Sequence, residues 1–525
     1  MIRPGPLRLT GVPQLLILAL GLGTGSPNQA SLAAQSLRAP TPVAGTMWGG
    51  PMMEPEHWTL ALLELLDAGG SAGAWMGSVG LPHAGEVHGA LLMDESTTVG
   101  APGRPPPGFI PAWRLSLQEE FPVRRAARRT TISTGTLRRS PNAPTATSVA
   151  LRLQGGYRSS EVLPLHRVSG WMGGGGAEVM LGGATRAWAE WVGGAGHPGA
   201  TLHRAGLAVE LGSVTLSAVR HPLRLGPGQD DPLLSGLVPL DAVHLRTSSP
   251  LQAGWLGRLA LSTSLARLPV AGNVESPWHG TLAVSVEPFH WLRVGGSRTA
   301  VFGGEDRPPV TGARLWGLFT GRHSDDTGEF EDQHAALFLE LRPTVAGFSF
   351  RLHGLMAAND TEGGIRDDPA ALAGVTLPLF HSSGLWGFRY EYAAFGARAR
   401  LCTRCDEGRS RSWYNHYVYG PHSSGGVPLG SSLGGYGASH RMSAEWWAPG
   451  GGVHLRLGGI QERREVGNLL SQRWFGTWNG AEAKALLFPE GGARISFQGR
   501  GMWGPSGANR WGGEGAVHLT FGLRR

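Results

Sequence analysis

The sequence predicts an all-β fold: a large transmembrane antiparallel β-barrel of about 18 strands, preceded by a small N-terminal helical element. Three observations predict this fold class. The chain starts with an export signal, no later segment is apolar for long enough to form a transmembrane helix, and apolar and polar residues alternate over most of its length. An exported chain with these properties is periplasmic, secreted or an outer-membrane barrel.

The N-terminus has the pattern of a secretory signal peptide. Arg3 and Arg8 precede an apolar run over residues 12–22, and small residues such as Ala30 follow it. The run is too short for a spanning helix, so it predicts a signal that is removed on export. We assign residues 1–34 to the signal peptide and a mobile lead.

A short amphipathic helix is predicted near residue 60, because apolar residues recur there with helical spacing and Gly69-Gly70 follow as an end signal. The apolar face comprises Trp58, Ala61, Leu62, Leu65 and Leu66. A weaker helical run follows at 86–94. Two short helices cannot bury a core of their own. Residues 35–112 are therefore predicted to form a periplasmic helical element with Pro/Gly-rich linkers, packed near one mouth of the barrel.

The rest of the chain alternates apolar and polar residues with the period of a β-strand. The clearest alternations are at 348–353, 386–392, 453–457, 495–498 and 517–521. In a membrane barrel the apolar face meets lipid and the polar face lines the lumen. Strands of ~10 residues, with connections of similar length, give roughly 18 strands. Residues 113–525 are therefore assigned to an outer-membrane β-barrel.

Composition argues against several kinds of partner. The net charge of +7 is spread along the chain and does not indicate nucleic-acid binding. Cys402 and Cys405 are too few ligands for a zinc site of their own. In an exported protein they predict a short-loop disulfide. We expect no metal, no cofactor, and a monomeric barrel surrounded by outer-membrane lipid.

The sequence shows no catalytic motif. Acidic pairs such as Asp230-Asp231 and Asp367-Asp368 stand in turn-like segments, where Asp bonds the local backbone. A His-Glu-x-x-His helix and a phosphate loop are both missing from the sequence. We therefore expect no catalytic residues and no enzymatic activity.

The most informative segment covers residues 413–434. It begins Trp-Tyr-Asn-His-Tyr-Val-Tyr, continues through a loop rich in glycine and serine, and ends Leu-Gly-Ser-Ser-Leu-Gly. If 413–419 is a strand, polar and aromatic side chains lie on both of its faces. That mixture suits a strand that faces a loop or the lumen, while a lipid-facing aromatic girdle remains the alternative.

Segment 413–434 resembles the signature of the Wzi family of outer-membrane capsule assembly proteins. Two upstream segments are similar to other motifs of that family: 225–235, which begins Leu-Gly-Pro-Gly, and 292–304, which contains Ser297-Arg298 and Gly303-Gly304. The sequence departs from the family's Gly-Tyr-x-Tyr loop at 421–424, which is Pro-His-Ser-Ser. The resemblance implies a large barrel in the outer membrane of a Gram-negative-type bacterium, with the N-terminal helices as its accessory part.

The resemblance also implies that the barrel holds capsular or exported polysaccharide at the cell surface. The candidate glycan-binding residues are Trp413, Tyr414, Asn415, His416, Tyr417, Tyr419 and Arg298. Aromatic faces cover the C–H surfaces of sugars, and arginine pairs with glycan carboxylates. These residue types at the mouth of a barrel would retain a polysaccharide without covalent chemistry.

Two other functions remain open from the sequence. The barrel could be a general diffusion channel without a dedicated glycan site, because lumenal charge is typical of any water-filled barrel. A secreted all-β carbohydrate-active enzyme is the second alternative, and it would need two carboxylates facing each other across a cleft.

Overall fold

In the computed structural model the described residues are 58–68, 113 and most of 148–524. Within the last range the gaps are 159–169, 182–184, 195–196, 223, 229–233, 235–238, 321–329, 347, 360–368, 396–412, 417, 422, 425–426, 466–467, 471–473 and 490–492. The signal peptide, the helical run predicted at 86–94 and the cysteine pair lie outside the described residues.

Eighteen long strands follow one another in the described part of the chain. They are β1 Ser148–Arg158, β2 Gly170–Leu181, β3 Thr185–Gly194, β4 His197–Leu211, β5 Val214–His221, β6 Leu240–Thr247, β7 Arg258–Arg267, β8 Trp278–Phe289, β9 Leu292–Phe302, β10 Glu331–Leu341, β11 Arg351–Asn359, β12 Pro369–His381, β13 Gly384–Phe395, β14 Gly437–Trp447, β15 Val453–Arg464, β16 Gly476–Leu487, β17 Ala493–Trp503 and β18 Asn509–Arg524. Helix α1 spans Trp58–Ala68, and helix α2 spans Gly312–Thr320.

The strands form one antiparallel sheet that closes on itself. Each strand pairs with its sequence neighbours, and β1 pairs with both β2 and β18. Ser148 lies opposite Met180 on one side and Arg524 on the other. Because closure leaves no edge strand with unpaired backbone groups, the sheet suits a spanning barrel. The predicted large antiparallel barrel of about 18 strands is confirmed.

The connections differ between the two ends of the barrel. At one end, here termed the turn end, tight connections such as 290–291 and 382–383 join successive strands. At the opposite end, termed the loop end, longer connections such as 303–330 and 396–436 join them. Outer-membrane barrels have short periplasmic turns and longer extracellular loops.

The wall has its polar side chains inside and its apolar side chains outside. On β10, Glu340 is fully buried and faces the interior, whereas the neighbouring Leu339 and Leu337 face outward and are 39% and 62% exposed. The same alternation holds on β13, where Arg389 and Glu391 are buried between exposed Phe388 and Tyr390. This arrangement inverts that of a water-soluble protein and is typical of a membrane barrel.

Helix α1 occupies the interior near the turn end. Residues 61–68 are all buried, with Leu62 and Leu65 fully covered. Asp67 Oδ1 is 2.8 Å from Arg342 Nη1, and Glu64 Oε2 is 3.4 Å from Arg351 Nη2. The predicted N-terminal helical element is thus present, and it is tied to inward-facing arginines. Among the described residues, none of the helices has the length and apolar character needed to cross a membrane.

Candidate functional site at the loop end

Segment 413–434 folds inside the ring and is not a strand of the wall. The regular structure of its described residues is two short hairpins, in which Asn415–His416 pair with Gly420–Pro421 and Ser423–Ser424 pair with Val427–Pro428. The continuous strand expected at 413–419 is therefore wrong. Gly420 has a φ of +62°, a left-handed conformation that reverses the chain at this point.

The aromatic residues that begin the segment are packed inside the barrel. Trp413 and Tyr414 are 0% and 1% exposed. The Trp413 ring lies 4.8 Å from that of His334 on β10 and 5.2 Å from that of Phe395 at the end of β13. His334 Nε2 also donates a hydrogen bond to the Trp413 carbonyl at 3.1 Å. The side chains of Trp413 and Tyr414 thus anchor the segment to the wall. Little of their own surface is exposed for contact with a sugar.

The two ends of the segment are bound to each other. The Ser431 backbone N–H donates to Tyr414 Oη at 2.9 Å. Gly430 lies directly against the Tyr414 ring, where a Cβ atom would collide with it. Leu433 is fully buried in the same apolar cluster as Trp413. The Leu-Gly-Ser-Ser-Leu-Gly sequence therefore provides the close packing surface for the Trp-Tyr pair.

His416 and Tyr419 hold the first hairpin in place. His416 Nδ1 accepts hydrogen bonds from the backbone N–H groups of Val418 and Tyr419, at 3.1 and 3.3 Å. Tyr419 donates through its hydroxyl to the carbonyls of Phe330 at 2.5 Å and Gly303 at 3.2 Å. Burial raises the pKa of the Tyr419 hydroxyl well above its usual range. The Tyr419 side chain of segment 413–434 thus hydrogen-bonds to the backbone of the upstream motif that contains Gly303.

The remaining candidate residues do not join this cluster. Arg298 lies on the outward face of β9, since Ser297 and Thr299 beside it face the interior, and it hydrogen-bonds to Gln333. The side chain of Asn415 and all of Tyr417 lie outside the described part of the chain. The structure therefore brings together Trp413, Tyr414, His416 and Tyr419 and places Arg298 across the wall from them. A role of these residues in glycan binding stays a prediction.

An arginine–tryptophan cluster borders segment 413–434 at the loop end, and the sequence analysis did not single it out. This rim cluster consists of Arg441, Arg464, Trp474, Trp478 and Arg510. The Arg510 guanidinium stands 4.8 Å from the Trp474 ring and 5.5 Å from the Trp478 ring. Its side chain remains partly exposed, whereas both indoles are almost fully buried. No local pattern marks this cluster, because its members come from β14, β15, β16, β18 and the connection between β15 and β16.

The rim cluster contacts the segment directly. Arg441 Nη2 donates to Ser432 Oγ at 3.1 Å and pairs with Glu462 at 2.7 Å. Arg464 Nε donates to the Leu433 carbonyl at 3.1 Å. Asn468 Nδ2 also donates to the Leu433 carbonyl, at 2.8 Å. The segment and the cluster therefore form one hydrogen-bonded unit across the barrel mouth.

Further basic residues lie on the inner wall between the rim cluster and the turn end. Arg500 Nη2 and Arg456 Nη2 lie 2.8 and 3.5 Å from Glu482, and Lys484 and Arg494 occupy further inward positions on β16 and β17. These inner positions are partly exposed, unlike the closely covered inner wall of β8–β13. Within the described ranges no group of His, Cys, Asp and Glu side chains has the arrangement of a metal site. The arrangement suits an anionic, hydrogen-bonding polymer better than a metal ion.

Comparisons with known proteins agree with this architecture. The profile of the family described as capsule assembly protein Wzi matches residues 137–456, which include segment 413–434 and most of the barrel wall. No curated protein sequence matches the chain. Among solved structures, the chain is similar to Wzi of Escherichia coli, described as an outer-membrane protein involved in group 1 capsule assembly and a carbohydrate-binding β-barrel.

The similarity to the Escherichia coli barrel extends over nearly the whole chain. It has a TM-score of 0.68 at 15% sequence identity and covers 90% of this chain and 100% of the other. OpdL of Pseudomonas aeruginosa gives a TM-score of 0.44 at 12% identity, covering 73% of this chain and 99% of that protein. OprD of the same species gives 0.44 at 10% identity, covering 72% and 94%.

Proposed function

The chain belongs to the family of the capsule assembly protein Wzi, and on that premise we propose that it holds capsular polysaccharide on the cell surface through the loop end of its barrel. It is an outer-membrane β-barrel protein of capsule assembly. The loop end would face outward, since longer loops are extracellular in such barrels. Cleavage of residues 1–34 during export and a monomeric barrel in outer-membrane lipid are parts of the same proposal.

The observation that carries the proposal is the unit formed by segment 413–434 and the rim cluster. A well-packed segment with arginines along one side is a rigid platform, and rigid groups lose little entropy when a ligand binds. Arg510 is partly exposed over two indole rings. From that position it can pair with a carboxylate of the polymer, while the unit as a whole keeps the mouth closed.

The filled interior argues against a general diffusion channel. Such a channel needs a continuous water-filled path, whereas α1 and segment 413–434 both lie inside the ring of strands in the described structure. A glycoside hydrolase would need two carboxylates on either side of a cleft, and the structure describes one of the acidic pairs, at 331–332. Glu331 and Asp332 are 7% and 2% exposed, so they do not face each other across an open cleft.

The proposal is tested by measuring where the polysaccharide goes. Cells that lack the protein should shed acidic polysaccharide into the medium, and the parent chain should restore cell association. Arg510→Gln should lower retention, and raised salt should weaken retention by the parent more than by this variant, since salt screens exposed charge pairs.

The matched control is Arg463→Gln. Arg463 is half exposed on the outward face of β15 and pairs with Glu465 at 3.2 Å, so its loss leaves the inner side of the mouth unchanged. Equal retention by cells with and without the protein would refute the proposed function. Equal retention by the parent and Arg510→Gln would exclude the rim cluster as the binding site.

A further inference from the structure

In the described part of the strands, the outward face of the barrel carries charge only near the loop end. Among the described residues, the outward-facing charged side chains of the strands are Arg220, Asp241, Arg267, Arg298, Glu331 and Arg463. Each of them lies within a few residues of a loop-end strand terminus. Towards the turn end the same face is apolar and ends in exposed aromatic residues such as Trp291 and Trp386. The two margins of the apolar band therefore differ in charge.

Helix α2 lies on this outward face at the loop end. Ala300 and Phe302 occupy outward positions of β9, yet they are 0% and 1% exposed. They are covered in one apolar cluster with Leu318 of α2 and Phe330. Thr311 directly precedes the helix and caps it, since its Oγ1 accepts a hydrogen bond from the Arg314 backbone N–H at 3.3 Å. Strands β7–β9 and helix α2 together form an outward-facing surface at the loop end, here termed the shelf.

Two arginines bracket the aromatic cluster beneath this shelf. The Arg267 guanidinium lies 4.8 Å from the ring of Trp278, which packs against the cluster from β8. The Arg314 guanidinium lies 5.3 Å from the ring of Phe330. Contacts with ring faces orient a guanidinium and leave its in-plane N–H donors for another acceptor.

Among the described residues neither of these two arginines has a carboxylate partner, whereas Arg220 and Arg463 on the same face each have one. Arg220 pairs with Asp241 at 3.5 Å, and Arg463 pairs with Glu465 at 3.2 Å. The polar contact of the Arg314 side chain is with the Pro309 carbonyl, at 2.9 Å. Two arginines that have no ion-pair partner among the described residues therefore stand on one apolar cluster, at the level where the apolar band ends.

Exposed apolar side chains lie on helix α2 and just before it. Trp316 on α2 is 67% exposed, and Val310 before the helix is 40% exposed. A ligand that matches both features carries negative charge at one end and hydrocarbon at the other. The outer-membrane location supplies such a molecule beside this wall.

We propose that the shelf of β7–β9 and α2 binds a phosphorylated lipid of the outer leaflet. Arg267 and Arg314 hold its phosphate groups through charge-assisted hydrogen bonds, and Trp316 contacts its sugar or the upper part of its acyl chains. The site is separate from the polysaccharide platform, because it lies on the opposite face of the wall. A lipid bound at this site would fix how deeply the barrel sits in the membrane and would hold α2 against the wall.

The test uses the full-length, purified barrel in detergent with four additions: lipid A bearing two phosphates, the same lipid without phosphates, inorganic phosphate, and none. We expect bisphosphorylated lipid A to raise the unfolding temperature of the parent and to stay bound through purification. The Arg267→Gln/Arg314→Gln variant should bind it at least tenfold more weakly. The Arg220→Gln/Arg463→Gln variant removes two outward arginines at the same level and should behave like the parent.

Heat-modifiable migration in gels identifies the folded fraction of each variant. If the double variant does not fold, the single variants Arg267→Gln and Arg314→Gln replace it, and each is expected to weaken binding. Equal binding of bisphosphorylated lipid A by parent and variant would overturn the proposal. So would an equal temperature shift from dephosphorylated lipid, which would reduce the shelf to a hydrophobic contact. A full shift from inorganic phosphate would show a simple anion site and would overturn the lipid assignment.

Discussion

Glu64 of α1 and Arg224 of the segment after β5 meet inside the barrel, with 2.7 Å between Oε1 and Nη2, although 160 residues separate them in the chain. Both side chains are 5% exposed. The helix lies towards the turn end, while Arg224 belongs to the connection that starts from the loop end. Helix α1 therefore occupies the interior from the turn end and the connection after β5 occupies it from the loop end. The ion pair joins these two parts of the chain.

The first prediction concerns the seating of α1. Glu64→Gln with Asp67→Asn should release the helix, because the buried arginines that face these carboxylates would lose the counter-charges that α1 supplies. Breaking a buried ion pair costs about 3–5 kcal/mol, whereas the closed ladder of strands is unaffected. Conductance in planar bilayers should rise well above that of the parent. Glu465→Gln, which removes an outward exposed pair, is the control, and a folded double variant as closed as the parent would contradict the prediction.

The second prediction uses two glycines with the same backbone conformation. Gly272 and Gly254 have φ angles of +58° and +59°, so alanine introduces similar backbone strain at both. A Cβ at 272 would lie 2.5 Å from the Tyr419 carbonyl carbon, while a Cβ at 254 meets nothing within 4 Å. Gly272→Ala should therefore displace segment 413–434 at an additional cost of about 1–3 kcal/mol. Proteolysis of the loop end on intact cells should increase for Gly272→Ala and not for Gly254→Ala.

The third prediction concerns alkaline pH. Burial raises the pKa of Tyr419 above its value in the unfolded chain. The neutral hydroxyl therefore stabilises the segment at pH values below the unfolded pKa of about 10. That contribution is lost as pH rises further, because only the unfolded form ionises readily. Loop-end proteolysis should increase above about pH 10 in the parent. Tyr419→Phe should start from a looser segment and lack this step, and a step of equal size in both proteins would exclude Tyr419 as its cause.

Local patterns in the sequence were sufficient to predict the wall and α1. Alternation such as that around Phe388 and Tyr390 depends only on which side of a strand meets lipid, and the apolar face of α1 depends only on helical spacing. The inward fold of 413–419 could not be predicted in this way. Its alternating Trp, Asn, Tyr and Tyr suit a strand, and the reversal depends on distant acceptors, such as the Phe330 carbonyl that receives the Tyr419 hydroxyl.

The rim cluster was missed for a related reason. Trp474 and Arg510 are separated by two strands in the sequence, and their contact exists only once β16, β17 and β18 are in register. Arg298 is the opposite case, since the sequence made it a candidate and the structure places it away from the cluster. Its place in a recognised motif made it a candidate, but the parity of β9 directs it outward. Which face a polar residue occupies depends on the register of the whole wall.

The fourth prediction concerns Cys402 and Cys405, which lie outside the described residues. In an exported protein these thiols should be oxidised to each other. Mass spectrometry of unreduced, alkylated protein should find no labelled cysteine. Replacing both with serine should change the unfolding temperature little, since the loop they close is short and the strand ladder holds the barrel. Two labelled thiols in freshly purified outer-membrane protein would contradict the pairing.

The last prediction separates residues that position segment 413–434 from residues that touch the polysaccharide. Trp413→Ala removes a fully buried indole, and such truncations cost about 3–5 kcal/mol. His416→Ala removes the acceptor of two backbone N–H groups. Both variants should insert normally, because the wall closes without the segment, but both should retain less polysaccharide and expose the loop end to protease. Arg510→Gln should lose retention while staying as resistant to protease as the parent. If Trp413→Ala and His416→Ala insert, stay protease-resistant and retain polysaccharide like the parent, segment 413–434 is a folding signature alone, and the glycan binds elsewhere on the loop end.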